Sequence, residues 1–304
     1  MSTAVVFDEY GDPDVLHLAD VELPEVAPDQ VLVDVAAAGV QPFDTYFRSG
    51  RTASWLPATF PQQLGNEVAG TVREVGADVT AFAAGGEVLG WVSFRGYAEQ
   101  VVVKAKQLVA KPVEMPFEVA GVLTASGQTA ATALEDLAVT AGDTFLVHAA
   151  AGGVGSFAVQ LARAAGATVI GTASPRNHDY LRSLGALPVG YGDGLAERVR
   201  ELAPDGVDAA LDAAGTDEAL RVSAALVADK NRAGSIAAGA QAKELGLQEL
   251  GTRRSAERLA RLVRHYQDGA LRVTVDRVLT LAEAAKAHRE LETGHVRGKI
   301  VLRV

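Results

Sequence analysis

The chain has 304 residues, with 28 Lys and Arg against 38 Asp and Glu and a formal net charge of −10. That length is enough for two cores, while the acidic balance and lack of a basic run exclude nucleic acid or an anionic membrane surface as the main partner. With no cysteine, no apolar stretch long enough to span a bilayer and no leader-like start, the chain has neither disulfides nor thiolate chemistry, and a soluble cytoplasmic protein is expected.

The first hundred residues read as short Val-rich strands: AVVFDE, VLVDVAAAGV, EVAGTVREVG, EVLGWV and GYAEQVVV, separated by Gly, Pro and Asp. One short helix interrupts them, with Pro42 suited to its first turn and Gly50 to its end. From Phe117 the texture changes. Helix-length Ala/Leu/Arg segments alternate with the apolar runs TFLVHA, ATVIGTA, VDAALDAA and GSIAAG, which predicts a parallel sheet with helices on both faces. After Gly251 come a helix, SAERLARLVRHYQDG, the strand VTVDRVLT, a helix from Leu281 to about Glu292 and a final strand GKIVLRV.

The stretch VHAAAGGVGSFAVQLARAAGATVIGTASPR, residues 147–176, has the order strand, glycine turn, helix, strand. Ala150, Gly152 and Gly155 hold the spacing of G-x-G-x-x-G, with alanine in the first place. Such a turn needs bare backbone near a pyrophosphate and a close helix–strand contact, and the helix beginning near Val154 aims free N–H groups and its positive end at the phosphates. Ala158, Leu161, Ala162 and Ala165 fall at i, i+3, i+4 and i+7 and are predicted to pack on the sheet. An Asp or Glu after the second strand would accept hydrogen bonds from the ribose hydroxyls of NAD. The sequence instead has Ser174, Arg176 and Asn177. A hydroxyl, a guanidinium fork and an amide donor suit a 2′-phosphate, so NADPH is the expected cofactor; the competing reading is a solvated turn with an ordinary surface arginine.

The segments GVQPFDTYFRSG (39–50), FPQQLGNEVAGTVREVG (60–76), SGQTAATAL (126–134), VHAAAGGVG (147–155) and HVRGKIVLRV (295–304) together resemble the zinc-independent quinone oxidoreductases, the zeta-crystallin-like branch of the medium-chain dehydrogenase/reductases. The resemblance runs nearly end to end. It implies an α/β protein in which a GroES-like, mainly β catalytic domain (1–116 and 251–304) is paired with a Rossmann domain having a doubly wound parallel sheet (117–250). It also implies an active site in the cleft between the domains and a homodimer.

Metal-dependent relatives carry a cysteine near position 41 and a histidine near position 66. This chain has Gln41 and Asn66, neutral amides that are poor zinc ligands, so no zinc is expected. By resemblance, Gln41 stands near the nicotinamide ribose, and Thr129 is placed to hydrogen-bond the carboxamide. Gly152, Gly153, Val154 and Gly155 form the pyrophosphate turn, and Ser174, Arg176 and Tyr191 surround the adenosine 2′-phosphate. Tyr191 is equally read as a half-buried packing residue.

Without zinc, charge developing on a substrate oxygen must be met by hydrogen-bond donors, each worth about 3 kcal/mol when well placed. Tyr46, on the short helix, is the best donor in the sequence; its other reading is a packing tyrosine. Asp44 is expected to cap or orient that helix. Trp55 and Phe60 are read either as lining the substrate mouth or as packing residues. The leading function is hydride transfer from NADPH to a quinone or an α,β-unsaturated carbonyl compound, two acceptors the sequence does not separate. The alternative is a non-catalytic NADPH-binding sensor or crystallin-like protein.

Overall fold

The computed structural model describes residues 1–304. Its first part contains strands β1 (Ser2–Phe7), β2 (His17–Val21) and β3 (Gln30–Val40), helix α1 (Pro42–Arg48), then β4 (Gln62–Gln63), β5 (Glu67–Val75), β6 (Glu87–Trp91), β7 (Gln100–Lys104) and β8 (Leu108–Ala110). The helix α2 (Phe117–Asp136) leads into β9 (Thr144–His148), α3 (Gly153–Ala164), β10 (Thr168–Thr172), α4 (His178–Ser183) and β11 (Leu187–Val189). The alternation continues with α5 (Leu195–Leu202), β12 (Ala209–Asp212), α6 (Asp217–Leu226), β13 (Ala233–Ser235), α7 (Gly239–Glu244) and β14 (Gln248–Glu249). The chain closes with α8 (Ala256–Gln267), β15 (Val275–Thr280), α9 (Ala284–Glu292) and β16 (Lys299–Arg303).

Two compact units result, one of residues 1–125, 255–263 and 273–304, the other of residues 126–254 and 264–272. One division falls inside α2, one inside α8 and the other two on either side of α8, whereas the change of sequence texture lies at 116/117 and 250/251. Texture marks where an element starts. The unit to which each half of a long helix belongs depends on what that half packs against.

The first unit is built on β3. It pairs antiparallel with β16 and β5, and β7 joins it near its start. Every second residue from Val31 to Val35 is buried, as a half-covered pleated strand requires. These side chains meet Val68, Val72, Val101, Ile300, Leu302 and Phe47 in one core. By the area rule, fully burying each such side chain contributes on the order of 2 kcal/mol.

The second unit is a six-stranded sheet in the order β11-β10-β9-β12-β13-β14, with every pairing parallel. Sequence periodicity finds the four central strands and misses β11 and β14. Those two have only three and two residues, and β11 carries Pro188, which only an edge position tolerates. The connection order places a topological switch between β9 and β12, where ligands of open α/β sheets bind. On α3, Ala158, Leu161 and Ala162 are buried as expected, but Ala165 is exposed. It is the residue that ends the helix, and Gly166, at φ 92°, turns the chain there.

Candidate functional site

In the second unit the turn after β9 is tied to the end of β10. The backbone N–H of Ala149 donates to the Thr172 hydroxyl at 3.2 Å, and that of Ala150 to the Thr172 carbonyl at 3.0 Å. Ala149 itself adopts φ 53°, a conformation alanine enters at a cost. Gly152 N–H donates to the Ala149 carbonyl and Ser156 N–H to Gly152. The first-turn amides of Gly153, Val154 and Gly155 therefore have no helical acceptor. A Cβ on Gly155 would lie 2.3 Å from the Ala149 carbonyl oxygen and 2.7 Å from Ala150 Cα, so only glycine lets α3 begin this close to β9. A Cβ on Gly152 would meet the same oxygen at 3.3 Å. The bare turn and the three amides suit a pyrophosphate.

The carboxyl end of β10 supplies the next group. Ser174, half-buried, precedes a single 3₁₀ turn holding Arg176 and Asn177. Asn177 donates its side-chain amide to the Ser174 hydroxyl at 3.4 Å, while Arg176 is exposed. Because Thr172 pairs with Val189, the loop after β11 emerges beside this turn and carries Tyr191. That tyrosine is 60% exposed, which overturns the packing alternative. Its loop is nonetheless anchored, since the Arg198 guanidinium donates to the carbonyls of Gly190, Gly192 and Asp193. No acid follows β10 before Asp179. Thr129 sits on α2 within this same unit, its hydroxyl 2.6 Å from that of Thr252.

In the first unit Gln41 caps the start of α1 and Tyr46 lies within the helix. Asp44 accepts the Gln41 backbone N–H at 2.9 Å, the capping contact expected of it. It also accepts Asn66 Nδ2 at 2.7 Å and the Tyr97 hydroxyl at 2.9 Å. Complete burial still dominates and raises the Asp44 carboxyl to about 6, against the hydrogen bonds that lower it. Desolvation, reinforced by Asp44, pushes Tyr97 well above its usual range. Tyr46 is half-buried, with the Arg51 guanidinium 4.1 Å from its ring centroid. Phe60 stands edge-on to Phe7 and Tyr10 at 5.6 and 5.2 Å, which gives it a packing role. Trp55 is 67% exposed.

Sequence reading missed the group behind Gln41. The side-chain amide of Gln41 donates to Glu67, a fully buried carboxylate that also accepts the Ala125 N–H at 2.6 Å and pairs with Lys299 Nζ at 3.3 Å. Burial lowers Lys299, and Glu67 opposes that shift. A Cβ on Gly39 would lie 2.1 Å from Glu67 Oε1, so the glycine two residues before Gln41 makes room for the carboxylate. A lysine inside the apolar run KIVLRV was the one visible signal. Gln41 and Asn66 both turn amide N–H groups toward carboxylates, and no three His, Cys, Asp or Glu side chains cluster as metal ligands. These residues do not fit a zinc ion, whose usual protein partners are thiolate, imidazole and carboxylate.

Residues 27–114 match the alcohol dehydrogenase GroES-like domain family, and residues 184–302 match the zinc-binding dehydrogenase family. The chain is 33% identical to a quinone oxidoreductase of Pseudomonas aeruginosa, over 99% of both chains. It is 34% identical to the chloroplastic NADPH-dependent alkenal/one oxidoreductase of Arabidopsis thaliana, over 98% of this chain and 78% of that protein. The structure of the quinone oxidoreductase from Coxiella burnetii matches with a TM-score of 0.87 at 33% identity, covering 100% of this chain and 99% of the other. With both units, the glycine turn and near-complete coverage accounted for, the chain belongs to the quinone oxidoreductase branch of the medium-chain dehydrogenase/reductases.

Proposed function

We propose that this protein is a metal-independent, NADPH-dependent reductase of quinones or α,β-unsaturated carbonyl compounds. The observation that carries the reading is a pair of donor arrangements suited to anions on neighbouring strand ends: the turn of Gly152, Gly153, Val154 and Gly155 after β9, and Ser174, Arg176 and Asn177 after β10. The first would hold the pyrophosphate on backbone amides. The second would hold a 2′-phosphate by a guanidinium fork with hydroxyl and amide donors, Tyr191 standing beside it on the loop anchored by Arg198. The names of the relatives, a quinone oxidoreductase and an alkenal/one oxidoreductase, point the same way.

When bound, NADPH supplies a hydride to an electron-poor conjugated acceptor. The chain's own part is binding, orientation and charge stabilisation. Thr129 is assigned to the carboxamide and Gln41 to the nicotinamide ribose; Glu67 already holds the Gln41 amide, which fixes that side chain before cofactor arrives. Tyr46 is assigned as the hydrogen-bond donor to the substrate oxygen. A homodimer in the cytoplasm is the expected state; no helix is long and apolar enough to cross a membrane.

The test is NADPH oxidation by purified protein against a small quinone and an open-chain enone, with and without chelator, and with NADH in parallel. Turnover with NADPH that survives chelation supports the proposal, and the better acceptor identifies the substrate class. A preference for NADH, loss of activity on chelation, or tight NADPH binding without turnover on either acceptor would overturn it.

A further inference from the structure

Three neighbouring strands of the second unit end on buried polar residues: His148 on β9, Asp212 on β12 and Ser235 on β13. The register pairs His148 with Asp212 and Asp212 with Ser235, so the three form one row across the switch point. All are 1% exposed or less. A carboxylate buried that deeply costs stability unless donors surround it. Asp212 Oδ1 accepts the backbone N–H groups of Ala214 at 2.8 Å and Gly215 at 3.0 Å, and Oδ2 accepts the Ser235 hydroxyl at 2.6 Å. Ser235 Oγ in turn accepts the N–H groups of Ala237 at 3.1 Å and Ala238 at 2.9 Å.

One carboxylate and one hydroxyl thus fix the opening residues of both loops that follow β12 and β13. The loops also touch: a Cβ on Gly215, at φ 69°, would lie 3.0 Å from Ala237 Cβ. Their residues Ala213, Ala214, Gly215, Ala237, Ala238 and Gly239 carry a methyl group or nothing, so a ligand can approach the backbone closely. Beside them, Nε2 of buried His148 has no hydrogen-bond partner. The strand order supplies the direction. The phosphate turn follows β9 and the 2′-phosphate residues follow β10, on one side of it. The other half of a dinucleotide laid across the strand ends must run the opposite way, over β12 and β13.

We infer that Asp212 and Ser235 are positioning residues for the nicotinamide-ribose half of the dinucleotide, holding the backbones of 213–215 and 236–238 as a preset platform for it. This rests on the dinucleotide reading above. Neither side chain needs to touch the ligand, because each acts through the loop backbone it anchors.

The experiment compares binding of NADPH with binding of 2′,5′-ADP, which carries only the adenosine end, by calorimetric titration of wild type, Ser235→Ala, Ser235→Thr and Asp212→Asn. Ser235→Ala and Asp212→Asn should weaken NADPH about tenfold while leaving 2′,5′-ADP within about twofold of wild type, and Ser235→Thr, which keeps the hydroxyl, should retain NADPH affinity. Should Ser235→Ala not fold, the isosteric Asp212→Asn carries the same comparison. Parallel loss of both ligands, or no loss of either, would overturn the inference. A wild-type protein that binds neither ligand would instead overturn the dinucleotide reading, and this inference with it.

Discussion

The Cβ that Gly155 lacks would lie 2.3 Å from the carbonyl oxygen of Ala149. That oxygen also accepts the Gly152 N–H, so it cannot retreat without opening the turn. Gly155→Ala is therefore expected to cost about 1–3 kcal/mol, the usual range for overpacking, and to weaken NADPH binding at least tenfold. Gly152→Ala, whose Cβ would meet the same oxygen at 3.3 Å, should cost clearly less stability. Thermal unfolding and NADPH titration of the two variants check the contrast; equal behaviour would remove the steric argument.

Reversing charge at Arg176 tests the cofactor assignment. A hydrogen bond to a charged group contributes roughly 1.5–3 kcal/mol, so Arg176→Glu should raise the KM for NADPH about ten- to hundredfold. The KM for NADH should stay level or fall, because glutamate accepts from ribose hydroxyls. Arg176 is exposed, so the melting temperature should barely move. Steady-state kinetics with both cofactors decide the matter, and a uniform change would dismiss the 2′-phosphate role.

Tyr46→Phe isolates the hydroxyl. The ring facing Arg51 remains, so stability should change by less than about 1 kcal/mol. If Tyr46 donates to the substrate oxygen, kcat should fall about a hundredfold, the loss typical of one such donor, with NADPH affinity unchanged. An unaltered kcat would return Tyr46 to packing.

Acid should destabilise the protein through two buried histidines. Burial lowers His148 to about 4 and His288 to about 3 from an ordinary value near 6.5. The unfolded chain takes up these protons first, so stability is lost as pH falls from about 6.5 toward those values. Asp44 acts with the opposite sign: held at about 6 instead of 3.8, it gains a proton earlier when folded and contributes stability as pH falls through 6. Each group is worth on the order of 3 kcal/mol at full effect, and two histidines outweigh one carboxyl. The melting temperature should therefore drop between pH 6.5 and 4. His288 ring nitrogens have no partners, and His288→Leu should make that drop shallower. An equally steep profile in the variant would exclude His288 as a source.

The sequence by itself determined the outline of this protein. Strand and helix periods separated a Val-rich part from an alternating one, the glycine spacing marked a turn suited to a pyrophosphate, and the missing acid after β10 pointed to NADPH. These signals are local: each depends on residues within one turn, one strand or one βαβ unit. Asp44 was legible for the same reason, since its capping partner is three residues away. Tertiary structure alone decided what long-range pairing controls. Glu67 and Lys299 meet across strands more than two hundred residues apart, and Gly39 was unremarkable until Glu67 occupied the space it leaves. Asp212 and Ser235 looked like ordinary strand-end residues until the parallel register of β12 and β13 aligned them. Tyr191 looked capable of packing until the edge position of β11 left it in solvent. A buried charge reveals its purpose only through the donors that surround it, and those donors are brought together by the fold.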